Sequence, residues 1–295
     1  MTPTITSRMP ARIAAIVLVV IAVACTVGSF RAMSRYALTD LPAARQPPSL
    51  RQPFGTDLLG RPLLSRCLLG GLVSIGVGCS AAAFSVVLGV LWGSISGMAG
   101  GRVDAAMMRI VDILYGLPYL LMVILLKIGL DGVLRQRLGL TATAAEIVVL
   151  LLAIGGVSWL TMARIIRGQV LALRGLPFIE AARAIGLTPM EIWRTHLLPN
   201  LAGPIVVYAM LTIPQAILQE ALLSFLGIGI QPPLPSWGNL ASEGVAAINT
   251  VESFWWLLAF PCGLLTLTLL SLNVVGGELQ RAIETRGRRA ELAAP

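Results

Sequence analysis

Few side chains in this sequence have the types and spacing that catalysis or metal binding requires. His196 is the only histidine, so a metal site or a proton relay built on two histidines is nearly excluded. The four cysteines form no Cys-x-x-Cys pair and three lie in apolar runs, which favours small buried side chains over metal ligands or disulfides. Glu220 and Ser224 lie one helical turn apart, but no general base accompanies them. Since a GxxxxGK[ST] phosphate loop is also missing, we expect no catalytic residue, no metal and no cofactor in this chain.

Three charged residues within apolar segments are the remaining candidates. Arg109 and Asp112 are three positions apart, so they could pair on one face of a helix. They could contact a substrate or an ion, but a structural pair near the membrane surface is favoured because an unpaired acid there is costly. Glu220 could line a wet cavity, pair with another helix, or lie near the outer interface. All three are therefore candidates for a translocation path or for helix pairing.

The composition indicates which class of protein positions these residues. Hydrophobic residues make up 56% of the 295 residues and charged residues only 12%, with a mean hydropathy of +0.84. A soluble domain carries roughly a quarter charged residues, so this composition predicts an integral membrane protein. The net charge of +8 comes almost entirely from arginines spread singly along the connecting segments. That distribution argues against nucleic-acid binding and suits loops that flank membrane spans.

Six apolar runs are long enough to cross a bilayer, which predicts an all-α polytopic membrane protein. Their approximate bounds are 13–30, 72–98, 105–128, 144–165, 202–228 and 254–275. We favour an uncleaved first span over a signal peptide, so both termini are expected in the cytoplasm. Thirteen of the twenty-two Lys and Arg residues then lie on the cytoplasmic side, a modest bias of the expected sign. The segment 31–66 would lie outside although it carries six of the other nine.

Some residues within the spans carry specific expectations. Gly89, Gly93 and Gly97 are spaced by four, which favours close packing of the second span against another helix. Pro118 is expected to kink the third span. Lys127 is expected to extend its ammonium group to the far membrane surface.

The connections outside the membrane carry further expectations. Thr56 or Asp57 could cap a short helix before the second span. The segment 231–253 contains no Lys or Arg and is predicted to be an external loop. Trp255 and Trp256 follow it and are expected to anchor the sixth span at the membrane interface.

A polar stretch from 178 to 204 interrupts the apolar pattern between the fourth and fifth spans. Glu180 lies in the first turn of a predicted short helix, where its charge suits the helix N-terminus. Gly186 follows at a position suited to a C-terminal cap with positive φ. Thr188, with Glu191 three residues later, predicts a capping box that starts a second short helix. The residues alone leave two interpretations open, an ordinary amphipathic loop and a docking element for a partner.

The motifs of this stretch resemble the cytoplasmic EAA signature of ABC importer permeases. The signature residues are Glu180-Ala181-Ala182, Gly186 and, after eleven residues, Leu198-Pro199. Other motifs, above all the run from Leu223 to Gly238, are similar to the C-type subunit of the oligopeptide/dipeptide branch. The resemblance covers about 54–286 and departs from the family pattern at 129–143. It implies that ATPase coupling is carried by Glu180, Ala181, Ala182, Gly186, Glu191, Leu198 and Pro199.

The resemblance also implies a fold, partners and a function. The fold is the six-helix ABC type-1 importer permease fold, in the inner membrane of a bacterium. The implied partners are a second, similar permease, two cytoplasmic ATPases that bind ATP and Mg²⁺, and an extracytoplasmic binding protein that delivers di- or oligopeptides. Nickel complexes and glutathione are alternative substrates within the branch. An ion-coupled secondary transporter is the alternative class, although the halves of the chain show no repeat.

Together, the predicted spans and the resemblance divide the chain into three segments. Residues 1–70 are expected to form a transmembrane helix and an external segment. Residues 71–277 are expected to form the permease domain, with the coupling element at 178–199. Residues 278–295 are expected to form a cytoplasmic tail.

Overall fold

A computed structural model describes residues 8–33, 36–139, 141–248 and 252–292. The described residues form ten α-helices and no β-strand. The helices are α1 Arg8–Ala32, α2 Leu63–Ala99, α3 Gly101–Tyr115, α4 Tyr119–Leu138, α5 Ala142–Leu173, α6 Pro177–Ala184, α7 Pro189–Ile192, α8 Leu198–Phe225, α9 Trp237–Ala246 and α10 Trp256–Leu292. The predicted division at 70/71 falls inside α2 and the division at 277/278 falls inside α10. Residues 1–7 and 293–295, at the outer limits of the predicted segments, lie outside the described residues.

Five helical segments in the described part of the chain are long and apolar enough to cross a membrane. They contain α1, α2, α5, α8 and α10, and the bent pair α3 and α4 makes six if it is counted as one span. The two helices of the pair meet at 97°. The break predicted at Pro118 is therefore present, but the span 105–128 is two helices that meet at a sharp turn and not one kinked helix. Pro118 has no N–H to donate and disfavours helical geometry at Leu117, so α3 ends and α4 restarts at Tyr119.

The second short helix of the polar stretch is joined to the fifth span. A π-helical turn, Trp193–Leu197, connects α7 directly to α8, and Pro189–Phe225 forms one continuous candidate span. We predicted a separate short helix and a span that starts near 202. The sequence did not show that the helix continues from 189 into the span, because residues 189–201 include several polar side chains. A span is recognised from an uninterrupted apolar run, and these side chains interrupt it.

The glycine face of α2 packs against α5 as predicted. A Cβ atom added at Gly89, Gly93 or Gly97 would lie under 3.0 Å from atoms of Met162, Ala163 or Val170. The two backbones therefore approach each other to a distance that only glycine permits.

The helix bundle has two distinct ends. At the α9 end, which comprises residues 36–62, α9 and the start of α10, the Trp237 indole donates to the carbonyl of Cys67 at 3.0 Å. At the α6 end, which comprises α6, α7 and the start of α3, the Arg174 guanidinium donates to the carbonyl of Gly97 at 2.9 Å. Because Cys67 and Gly97 are near the opposite ends of α2, the polar stretch and α9 lie at opposite ends of the bundle.

Several expectations about the α9 end are corrected. The segment 231–253 contains the helix α9, packed against α8 and α10, where we predicted a loop. Trp255 is exposed, as an interfacial anchor should be, but Trp256 is buried and donates to the carbonyl of Thr56 at 3.2 Å. Asp57 caps no helix, since α2 begins after Pro62.

Lys127 makes a contact that the sequence did not predict, and the cysteines agree only in part with expectation. The Lys127 ammonium group donates to the carbonyl of Ile228, so it joins α4 to the turn between α8 and α9. Its extension to the far membrane surface stays a prediction. All four cysteines are free, and Cys25 and Cys67 are buried as expected. Cys79 is exposed and Cys262 is half-buried.

Candidate functional site

The α6–α7 element, residues 177–199, is anchored through one face of α6. Ile179 and Ala182 are three positions apart and buried, and they pack with residues of α5 and α8 such as Ile166 and Leu201. Glu180 and Ala181 lie on the opposite, exposed face. The structure therefore orients the predicted coupling residues so that Ala182 serves packing and Glu180 faces outward.

Gly186 forms the bend after α6 in a left-handed conformation. Its φ is +90°, which side chains other than glycine rarely adopt. The N–H of Leu187 donates to the carbonyl of Ala182 at 3.1 Å, and the N–H of Gly186 donates to the carbonyl of Arg183 at 3.0 Å. These two bonds are those of a Schellman motif, so the predicted glycine cap is present.

The predicted capping box is also present. The Thr188 hydroxyl accepts from the N–H of Glu191 at 3.3 Å, and the Glu191 carboxylate accepts from the N–H of Thr188 at 2.7 Å. On either side of the bend, Ile185 and Met190 are 78% and 62% exposed. The element therefore has a conformationally defined tip with exposed apolar side chains, a surface typical of a partner-binding site.

The last two predicted coupling residues lie where the element enters α8. Leu198 is half-buried and packs on the same cluster as Ile179 and Ala182. Pro199 is exposed and lies directly after the π-helical turn, as the second residue of α8. Between the element and the second half of α2 lies a cavity of about 1120 Å³ that Glu180 borders.

The ion pair predicted within α3 is absent from the described structure. Asp112 pairs with Arg164 of α5 at 2.9 Å, whereas Arg109 is exposed. The guanidinium of Arg164 also lies 4.1 Å from the ring centroid of Tyr115. Residues three apart on one helix can reach each other, so the sequence favoured a pair within α3. The prediction was wrong because Arg164 on the facing helix α5 binds Asp112 instead.

Sequence reasoning missed the acid that is buried at the start of α3. Asp104 is 8% exposed, and its two oxygens accept from the Arg167 guanidinium at 2.5 and 2.6 Å. Ser96 of α2 donates to the same carboxylate. This pair joins α2, α3 and α5 at the α6 end. Asp104 falls between the predicted spans 72–98 and 105–128, so the sequence pattern placed it on no helix face and gave no partner for it.

Glu220 is fully buried in α8. Its Oε1 accepts from the Ser224 hydroxyl at 2.7 Å, and that hydroxyl accepts from the N–H of Ile230 at 3.1 Å. In the described part of the chain, Oε2 has no hydrogen-bond partner. Through Ser224, which lies on the same helix, the Glu220 carboxyl group holds the turn between α8 and α9. The choice among its three proposed roles stays a prediction.

A second charged cluster, which the sequence analysis did not predict, lies at the α9 end. Arg66 is fully buried and donates to Asp57 at 2.8 Å and to Glu243 of α9 at 2.8 Å. Arg61 donates to Asp57 at 2.6 Å. We call these four residues the Asp57 cluster. Its members lie up to 186 positions apart in the sequence, so helix periodicity and local spacing give no signal that they meet.

No group of His, Cys, Asp or Glu side chains in the described residues could hold a metal ion. The described helices form a bundle of long apolar segments with the α6–α7 element at one end, which is the architecture of a polytopic membrane protein.

A family model narrows this class. Residues 89–289, more than half of the chain, match the family described as binding-protein-dependent transport system inner membrane component. The chain belongs to this family, and it is a multi-pass membrane protein.

Individual relatives are similar over most of their length. The chain is 39% identical over 273 residues to the dipeptide transport system permease protein DppC of Bacillus subtilis, with 92% of this chain and 81% of the relative covered. It is 42% identical over 275 residues to the oligopeptide transport system permease protein OppC of Escherichia coli K12, with 92% and 86% covered.

A solved structure shows the same fold. In inward-facing structures of the MetNI methionine ABC transporter, one chain is 23% identical, with a TM-score of 0.57, 75% of this chain and 98% of that chain covered. At this identity the likeness concerns the fold alone. It confirms the predicted all-α fold of an ABC type-1 importer permease.

Proposed function

We propose that this chain is a permease subunit of an ATP-driven importer and carries peptides across the inner membrane of a bacterium. The observation that carries the proposal is the 39–42% identity, over 92% of the chain, to permease proteins of dipeptide and oligopeptide transport systems. Di- and oligopeptides are therefore the favoured substrates. Nickel complexes and glutathione are the alternative substrates.

The α6–α7 element is the coupling surface in this proposal. A cytoplasmic ATPase subunit binds the exposed tip formed by Ile185 and Met190. Because α7 continues through the π-helical turn into α8, a displacement of the tip moves the span directly. Ile179 transmits the same displacement to α5 through the shared core. Opening and closing of the ATPases thereby changes the tilt of the two helices.

The remaining partners follow from the same proposal. A second, similar permease completes the passage, two ATPase subunits supply ATP and Mg²⁺, and a binding protein delivers peptide at the α9 end. This chain itself contributes no catalytic group. Both termini lie in the cytoplasm, on the side of the α6–α7 element, where the excess of arginine is predicted.

The decisive experiment is purification of the complex from the native membrane, followed by reconstitution into lipid vesicles. We expect co-purification of a second permease and two ATPases, and ATP-dependent uptake of radiolabelled di- and tripeptides once the binding protein is added. Uptake that stops when the proton gradient is collapsed while ATP is present would contradict the proposal in favour of an ion-coupled transporter. Uptake of nickel complexes or glutathione, without uptake of di- or tripeptides, would show that one of these compounds is the substrate.

A further inference from the structure

A cavity of about 520 Å³ lies beside the middle of α5 and α8, next to the turn between α3 and α4. Its lining includes four polar side chains of α8 and two of α5, beside apolar residues of the same helices such as Leu211 and Ile165. The polar side chains are Tyr208, Thr212, Gln215 and Gln219 on α8, and Ser158 and Thr161 on α5. We call these six residues the polar face. The predicted path residues Arg109, Asp112 and Glu220 do not border this cavity.

The spacing of the polar face on α8 is that of one helix side. Residues 208, 212, 215 and 219 are separated by four, three and four positions, so at 3.6 residues per turn they lie within an arc of about 60°. Other exposed residues of the same helix, such as Val206, Leu218 and Leu222, are apolar. Hydroxyl and amide groups are costly against hydrocarbon, so the polar face must contact water or protein while the apolar residues contact lipid.

The cavity wall is uncharged. The residues that border it include no Asp, Glu, Lys or Arg. The nearby Arg164 is paired with Asp112 and lies over the ring of Tyr115.

Two hydroxyls of the polar face donate within their own helices, Ser158 to the carbonyl of Ile154 at 2.9 Å and Thr212 to the carbonyl of Tyr208 at 2.7 Å, so both keep only their capacity to accept. The amide of Gln219 lies 3.5 Å from the Ser158 hydroxyl, and the buried hydroxyl of Tyr119, which also borders the cavity, has no partner in the described residues.

We propose that the polar face is this chain's half of the solute passage and that it binds peptides through their main chain. The proposal deepens the peptide function proposed above and rests on it. Amide and hydroxyl side chains both donate and accept, so they match the alternating N–H and C=O groups that every peptide presents. A neutral wall also provides no fixed charge to retain an acidic or basic side chain. Passage then requires only weak contacts, as in pores that solutes must leave as readily as they enter.

Thiol labelling of the assembled importer tests whether the polar face lines a watery passage. In a background with Cys79 and Cys262 replaced by alanine, we would introduce Thr212→Cys or Gln215→Cys and add a membrane-impermeant methanethiosulfonate reagent from the α9 side, with ATP present. The matched control is Leu218→Cys, an exposed position on the apolar side of the same helix. We expect labelling at 212 and 215 at least tenfold faster than at 218. Equal rates, or protection of all three, would overturn the assignment of the passage.

Uptake by near-isosteric variants tests the recognition of the main chain. Thr212→Val and Gln215→Leu each remove hydrogen-bonding groups, with Leu218→Met as the control. We expect uptake of Ala-Lys-Ala, Ala-Glu-Ala and Ala-Leu-Ala at limiting concentration to fall by about fivefold, as for the loss of one hydrogen bond. The factor should be the same for all three peptides and smaller for a peptide with N-methylated amides. A factor that depends on the central side chain would overturn main-chain recognition.

The two experiments separate this inference from the peptide function itself. If the unsubstituted importer takes up none of the peptides, the peptide function fails and main-chain recognition fails with it. The labelling pattern still decides whether the polar face lines a passage, because the reagent reports water access without any peptide.

Discussion

Gly186 determines the conformation of the tip between α6 and α7. Its φ of +90° is strained for any side chain, although a Cβ atom there would meet no neighbour within 4 Å. We therefore expect Gly186→Val to cost about 1–3 kcal/mol locally and to distort the tip. The importer should still assemble, but peptide uptake per ATP hydrolysed should fall several-fold, as measured in reconstituted vesicles.

The control for this change is Gly175→Val. Gly175 also has open space around its Cβ position, but its φ is not positive. Normal coupling in the Gly186 variant, or an equal loss in the Gly175 variant, would show that the left-handed conformation is not required.

Substitution of Glu180 tests whether the exposed face of α6 docks on the ATPase. Glu180 lies in the first turn of the helix, is exposed, and is expected to contact the ATPase. Glu180→Lys places a positive charge at the positive end of a helix dipole and reverses the charge offered to the partner. We expect less ATPase to co-purify with this variant. Glu284→Lys, an exposed acid on α10, is the control, and equal recovery of ATPase in the two variants would refute the docking role.

Among the elements, α2 packs closely on α5 through its glycine face. A Cβ at Gly93 would contact the backbone carbonyl of Ala163, and a backbone atom cannot move aside as a flexible side chain can. Gly93→Ala should therefore separate the two helices and cost about 1–3 kcal/mol.

The same helix offers a matched control at Gly76, where a Cβ meets nothing within 4 Å. Gly76→Ala should be neutral or slightly stabilising, because alanine favours the helix by about 1 kcal/mol. Thermal stability of the detergent-purified protein, followed by size-exclusion chromatography after heating, measures both variants. Equal melting temperatures would contradict the close packing of α2 on α5.

For the whole molecule, the Asp57 cluster joins segments that are distant in the sequence. Arg66 is fully buried and links Asp57 before α2 to Glu243 on α9. Removal of one partner from a buried ion pair leaves an uncompensated charge, at a cost of about 3 kcal/mol or more. We therefore expect Arg66→Met to loosen α9 and to lower the melting temperature by about 6 °C or more.

The control for the cluster is Arg281→Met. Arg281 pairs with Glu278 at 2.6 Å, but its side chain is 72% exposed, so the loss should be hardly measurable. If the two variants have the same melting temperature, the Asp57 cluster does not hold α9 in place.

The sequence by itself determined the local structural features of this protein. The apolar runs, the glycine face of α2, the glycine cap at Gly186 and the capping box of Thr188 and Glu191 all depend on residues at most a few turns apart. Such features follow from backbone conformation and helix periodicity, which each segment carries in its own sequence.

Contacts between distant segments were decided only by the tertiary structure. Asp112 pairs with Arg164 instead of Arg109, and Glu220 is linked through Ser224 to the turn before α9. The physical reason is that a charged or polar group in a membrane bundle binds whichever partner the packing brings nearest. That partner is set by helix rotation and by the 97° turn between α3 and α4, which no local pattern specifies.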